Sequence, residues 1–387
     1  MVEALCLMLL TATIVLMFVF MFSSRKIPVN FGGKSLLFVA VLSIFFALIF
    51  KPAEFIRWDL IEHFKLVDNM REGGIKYVVE ESQYADLFVY NYFAYFISTL
   101  PKNYQNLLTV IPLILDFFVV GYIYTKSFKV YLPETIEKTK ILSILMWLFT
   151  FGIKLAISGI RCSLAVSLAV LAIYLEAIQK KNRLLALLLY IAATYIHNFA
   201  VVLILVRLLS TLRAPFMLMF LSLGISTSLE TVARFVVENS KNEYWVFSFG
   251  RILDTAEDMS FGSAAQSFSG VSFLIYLSFI VFSIYLFLVS ERARRIYKEK
   301  GYCKTVANFA ASVGAVAIGL SFNYLYLERF MYFVSFAFLL ITPLHNLKKS
   351  RIGLENIFLI PLALFVFFFN DIYIYIVNYV GSYFLAL

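Results

Sequence analysis

The sequence predicts an all-α, polytopic integral membrane protein, and three observations lead there. Hydrophobic residues make up 62% of the 387-residue chain and charged ones only 15%, with a mean hydropathy of +0.86. A soluble chain carries about 25% charge and about half apolar residues, so this composition cannot furnish a water-facing surface. The apolar residues also gather into runs matching the helical rise across a bilayer. Finally, the basic residues concentrate in alternate connections between those runs. The net charge of +9 therefore reads as positive-inside bias, and no nucleic-acid partner is expected.

Taken in order, the candidate spans are 4–22, 35–50, 107–125, 141–157, 162–178, 184–196, 198–212, 214–229, 270–290, 305–322, 329–344 and 356–377. The first has no basic segment before it and no small-residue cleavage site after it, so it reads as a span and not a removable signal. Two polar stretches interrupt the series. Residues 51–86 carry five basic and eight acidic side chains, and residues 230–268 carry three and six. The aromatic segment 87–100 is short and closed by Pro101, and it reads as an interfacial helix. The region 184–212 is too long for one upright helix and too short for two full spans. It predicts two short helices meeting at Tyr195-Ile196-His197-Asn198.

This layout gives about twelve crossings, with the basic turns inside and both termini outside. It places 21 of the 33 basic residues on the cytoplasmic side and makes 51–106 and 230–268 substantial outer loops. No internal repeat is visible, which argues against an inverted-repeat carrier. The scattered Cys6, Cys162 and Cys303 form neither a disulfide framework nor a zinc pattern.

The layout also isolates Arg57, Lys154, Arg161, Arg251 and Arg329 on the outer face, where basic residues are disfavoured. Ser158 and Gly159 break a helix, and Arg161 opens the next one. A cation there adds to the positive end of the helix dipole, an arrangement suited to an anion. Its planar fork matches phosphate, although an arginine can also snorkel to headgroups or pair with Asp59 or Asp116. His197, between two short helices, is a candidate general base or phosphate donor; a lone imidazole can instead simply bond a carbonyl. Glu328 and Arg329 are expected between two spans, as a functional pair or a local salt bridge. Tyr324 and Tyr326, in Asn323-Tyr324-Leu325-Tyr326-Leu327, are candidate sugar-stacking rings, or interfacial anchors. Asp116, inside a predicted span, is expected to orient an arginine or to lie protonated or hydrogen-bonded in the core. Phosphate-loop, dinucleotide, zinc-protease and nucleophile-elbow motifs are absent, as is an outer Asp-x-Asp. Metal-independent chemistry without a cofactor is therefore expected, resting on electrostatic stabilisation by arginines.

The run Ile157-Ser158-Gly159-Ile160-Arg161, followed by Ser163 to Leu168, resembles the small-Arg-x-x-hydrophobic helix start of Wzy/EpsG-type polysaccharide polymerases. A basic turn at 180–183 and a short helix ending in His197 follow in that family's order. Glu328-Arg329-Phe330-Met331-Tyr332-Phe333, running on to Pro343, resembles its C-terminal arginine-containing span. Arg57-x-Asp59 falls where the family has a polar outer segment. The resemblance covers residues 35–345 and departs at Cys162 and Asn198.

It implies a single membrane domain over residues 1–387, with the GT-C-like architecture of multi-span glycosyltransferases. It implies a polymerase of undecaprenyl-diphosphate-linked repeat units, making O-antigen or a related surface polysaccharide at the outer face of the bacterial cytoplasmic (inner) membrane. The implied partners are the lipid-linked donor and acceptor, membrane lipids, a chain-length regulator and a flippase. Arg161, Arg329 and His197 become the catalytic candidates, with Arg57, Asp59, Lys154, Arg251, Glu328 and Tyr324 as substrate contacts. A polysaccharide ligase using the same donor, a flippase or other transporter, and a membrane acyltransferase are the rival readings.

Overall fold

A computed structural model of the chain describes residues 2–22, 27–28, 30–52, 59–81, 87–151, 156–157, 159–212, 214–241, 246, 253, 270–298, 301–346 and 362–372. Their regular structure is helical, with no strand among the described residues. Helices satisfy every backbone donor and acceptor internally, as apolar runs in a bilayer must. The first pair is α1 (Val2–Phe22) and α2 (Phe31–Ile49). Then come α3 (Asp59–Lys76), α4 (Phe88–Ser98), α5 (Leu107–Lys126) and α6 (Glu137–Phe151). The middle of the chain forms α7 (Ile160–Ile173), α8 (Arg183–Thr194), α9 (Phe199–Leu209) and α10 (Pro215–Asn239). Then follow α11 (Gly270–Ile296), α12 (Gly301–Gly319) and α13 (Tyr324–Asn346), and residues 362–372 are helical as well.

Six helical segments among the described residues are long and apolar enough to cross a membrane: Phe31–Ile49, Lys102–Tyr131, Ile160–Ile178, Phe273–Ile296, Gly301–Phe322 and Tyr326–Leu344. A bent pair, Pro215–Ser228 and Thr231–Asn239, makes a seventh if its 51° break lies within one span. The chain is thus an α-helical membrane protein by composition and by structure.

The two short helices expected over 184–212 are α8 and α9, with the turn between them at 195–198. Two boundaries differ from expectation. No glycine or proline interrupts residues 225–239, so α10 runs on to Asn239, into a stretch read as loop. Glu328 and Arg329 lie inside α13 and not between spans, because the helix begins at Tyr324. Asn323 starts it there, its Oδ1 accepting the Tyr326 backbone N–H at 3.2 Å.

The polar stretch after α2 is itself largely helical. Asp59 and Glu62 occupy the first turn of α3, where carboxylates complement the helix dipole. Leu60, His63, Leu66, Val67 and Met70 follow helical spacing and form its buried face. Gly74, at φ 63°, supplies a backbone turn that other residues adopt only under strain. The α3 helix packs on α4, and the side-chain amide of Gln105 donates to the Phe64 carbonyl at 2.9 Å, tying α3 to the start of α5.

At the centre stands α13, buried from Phe330 to Leu344 and packed against α6, α7, α11 and α12. Around it, α12 approaches its neighbours closely through small residues, as helices in lipid do. A Cβ on Gly314 would lie 2.7 Å from the Phe287 backbone nitrogen of α11. One on Gly319 would lie 2.6 Å from the Met219 carbonyl oxygen of α10. Gly314→Ala should therefore lower the thermal unfolding temperature in detergent, since overpacking of this kind costs about 1–3 kcal/mol. In α5, a Cβ on Gly121 meets nothing within 4 Å, so Gly121→Ala should be neutral or stabilising. Equal unfolding temperatures for the two variants would contradict this packing.

Candidate functional site

Three features of the helix layout converge on one cavity of about 610 Å³. Arg161 enters from the second position of α7, after Gly159 ends the preceding segment. His197 and Asn198 come from the turn before α9, and Tyr326 and Arg329 from the first turns of α13. The spacing of Tyr326 and Arg329 places both on one face of their helix. The rest of the wall is apolar. In α9, Phe199, Val202, Val206 and Leu209 recur at helical spacing, and in α10 Leu218, Leu221 and Ile225 do the same. Because α9 packs on α7 while α10 packs on α12, the two helices leave a cleft between them. From His197 to Leu209 this cleft runs about 18 Å along α9. Leu205, Leu221 and Ile225 line it and remain half-exposed, so the cleft is open and its wall apolar.

The polar end is strongly cationic. Among the described lining residues there are two arginines and no carboxylate. Burial, then the charges of Arg161 and Arg329, hold the His197 imidazole well below its ordinary pKa. Its Nδ1 accepts the Phe199 backbone N–H at 3.0 Å. That bond fixes the tautomer, since Nδ1 is the acceptor and the ring proton must sit on Nε2. The Phe199 ring meets His197 edge-on at 6.3 Å and packs against Phe330 of α13, which steadies the imidazole.

Behind Arg161, Asp116 of α5 is fully buried and accepts hydrogen bonds from both Ser163 and Ser167 of α7. These serines are one helical turn apart on the same face. Of the two roles expected for Asp116, the hydrogen-bonded core acid is found and the arginine partner is not: its carboxyl group is engaged by two hydroxyls and staples α7 to α5. On the other side, the Arg161 guanidinium lies 5.6 Å from the centre of the Tyr90 ring. The Tyr90 hydroxyl is 2.7 Å from His63 Nδ1.

The structure brings together Arg161, His197 and Arg329. Asp59 is exposed at the start of α3, and Glu328 is half-buried in α13; neither is among the described residues lining the cavity. Arg57, Lys154 and Arg251 lie outside the described residues, as does the Tyr324 side chain. Tyr326, one of the tyrosines beside Glu328 expected as stacking rings, lines the cavity, as does Asn198 of the predicted turn; Ser222, which sequence reasoning passed over, lines it too. Among the described residues, no three of His, Cys, Asp and Glu gather closely enough to hold a metal ion.

An apolar cleft with two guanidiniums and an Nε2–H donor at one end suits an amphipathic anion: a compact, multiply charged head on a long apolar tail. No family model, no curated protein and no solved structure matches the chain.

Proposed function

We propose that this protein is a membrane glycosyltransferase that polymerises oligosaccharide repeat units carried on a polyprenyl diphosphate. On this reading it makes O-antigen or a related surface polysaccharide at the outer face of the bacterial cytoplasmic membrane. The observation that carries the proposal is the amphipathic cavity, with Arg161, Arg329 and His197 at the head of an apolar cleft. A lipid diphosphate has the matching shape and charge. The expected topology of about twelve crossings supports the same reading, because it sets Arg161, His197 and Arg329 on the outer side.

In this mechanism Arg161 and Arg329 hold the donor diphosphate. As the bond from the anomeric carbon to the diphosphate oxygen breaks, charge collects on the leaving group, and the guanidiniums stabilise it. His197 supports the same charge by donating from Nε2; with Nδ1 occupied by the Phe199 N–H, it offers no lone pair as a base. An acceptor sugar hydroxyl bonds to the anomeric carbon as the diphosphate departs, and its proton passes to solvent water or to the released diphosphate. The polyprenyl tail lies in the cleft between α9 and α10.

The test is reconstitution of the purified protein in nanodiscs with the host's own lipid-linked repeat unit and no other acceptor. A ladder of elongated products on a gel is expected. Transfer only after a lipid A-type acceptor is added would instead identify a ligase. Binding of the lipid without any glycosyl transfer would overturn the transferase reading.

A further inference from the structure

Arg161 is contacted from outside the cavity. The Tyr90 ring of α4 lies beneath the guanidinium, 5.6 Å from its central carbon, a cation–π arrangement. Tyr90 is fully buried, and its hydroxyl meets Nδ1 of His63, on the buried face of α3, at 2.7 Å. The His63 ring also contacts the Tyr90 ring edge-on, at 5.4 Å and 67°. One line of contacts therefore runs from the amphipathic α3 through α4 to the cation at the cavity head. Neither His63 nor Tyr90 is among the described residues that line the cavity.

We propose that His63 and Tyr90 are a positioning pair that sets the Arg161 guanidinium in place for the lipid diphosphate; the proposal rests on the diphosphate reading of the cavity. The chemistry runs through the phenol. A hydroxyl that donates to Nδ1 gains electron density on its oxygen, and the ring face above becomes more attractive to a cation. The arrangement needs the neutral imidazole with its proton on Nε2, because a ring protonated at Nδ1 would donate to the phenol oxygen, and a cationic ring would also repel Arg161. Burial, with Arg161 adding to it, pushes the His63 pKa down to about 3, so the neutral form prevails throughout the physiological range. The polar segment between α2 and α5 thus reaches the site through contacts.

The test measures binding of sugar-free polyprenyl diphosphate to the full-length protein in nanodiscs. Tyr90→Phe keeps the ring and deletes only the hydroxyl, so its packing is conserved. It should raise Kd about tenfold, as should His63→Leu, consistent with couplings between contacting residues. His63→Asn, whose amide reaches the Nδ1 position, should recover to within about threefold of wild type. In an Arg161→Ala background, Tyr90→Phe should change nothing further, because the residue it positions is gone. An equal effect in both backgrounds, or no effect in either, would overturn the positioning pair while leaving the diphosphate site intact. If wild-type protein does not bind the lipid, or Arg161→Ala does not weaken binding, the site reading itself fails.

Discussion

Replacing Arg161 with alanine is expected to abolish long polymer while leaving the protein inserted and folded. The residue sits at the start of α7, at the positive end of a helix, and it shares a cavity with Arg329 and His197. Removing one donor aimed at a developing oxyanion typically costs about 10²–10³ in rate, and a chain built by repeated transfer magnifies such a loss. Arg161→Lys should recover little, because an ammonium cannot span two phosphate oxygens as the guanidinium fork does. The measurement is the length distribution of surface polysaccharide on a gel, set beside membrane levels of the protein. Normal polymer from Arg161→Ala would refute the mechanism outright. Asp116, bonded to Ser163 and Ser167, should keep α7 in place in this variant, so loss of activity need not entail loss of fold.

The second large effect discriminates between two jobs for His197. A general base must present an unprotonated nitrogen, whereas the Phe199 N–H occupies Nδ1 and leaves Nε2–H facing outward from that bond. His197→Gln places an amide N–H near Nε2 and should retain activity to within about tenfold, while His197→Ala should lose about 10². If both variants fell equally, the imidazole would be acting as a base. The pH profile gives an independent reading. A basic imidazole of ordinary pKa would impose a loss of rate as pH falls through about 6.5. Because burial and two arginines depress the His197 pKa, the residue stays neutral there, and wild type and His197→Gln should share one acid limb.

Much of the site was legible because its cations stand where membrane proteins avoid them. Arg161 follows a Ser-Gly break, Arg329 heads an apolar span, and His197 interrupts a run too long for one helix. Each is anomalous locally, so local rules find it. What escaped depends on register or on distant pairing. Tyr326 joins the Arg329 face only once Asn323 is known to begin α13. With 24 tyrosines in the chain, none could be singled out by type. His63 and Tyr90 meet across the break between two helices, and Asp116 finds its serines on another helix, so no spacing rule anticipates either contact. The helices themselves follow from composition and breakpoints, apart from the extended α10 and the early start of α13.

The half-exposed leucines and isoleucine along the cleft have a kinetic meaning. A ligand whose tail enters between α9 and α10 need never leave the bilayer, so it approaches in two dimensions and already confined to the correct depth. Occupancy then depends on how many carrier molecules share the membrane area around each protein, not on any concentration in the surrounding water. Saturation would accordingly scale with mole fraction of carrier among the lipids, and diluting the membrane with inert phospholipid would slow turnover as effectively as removing substrate.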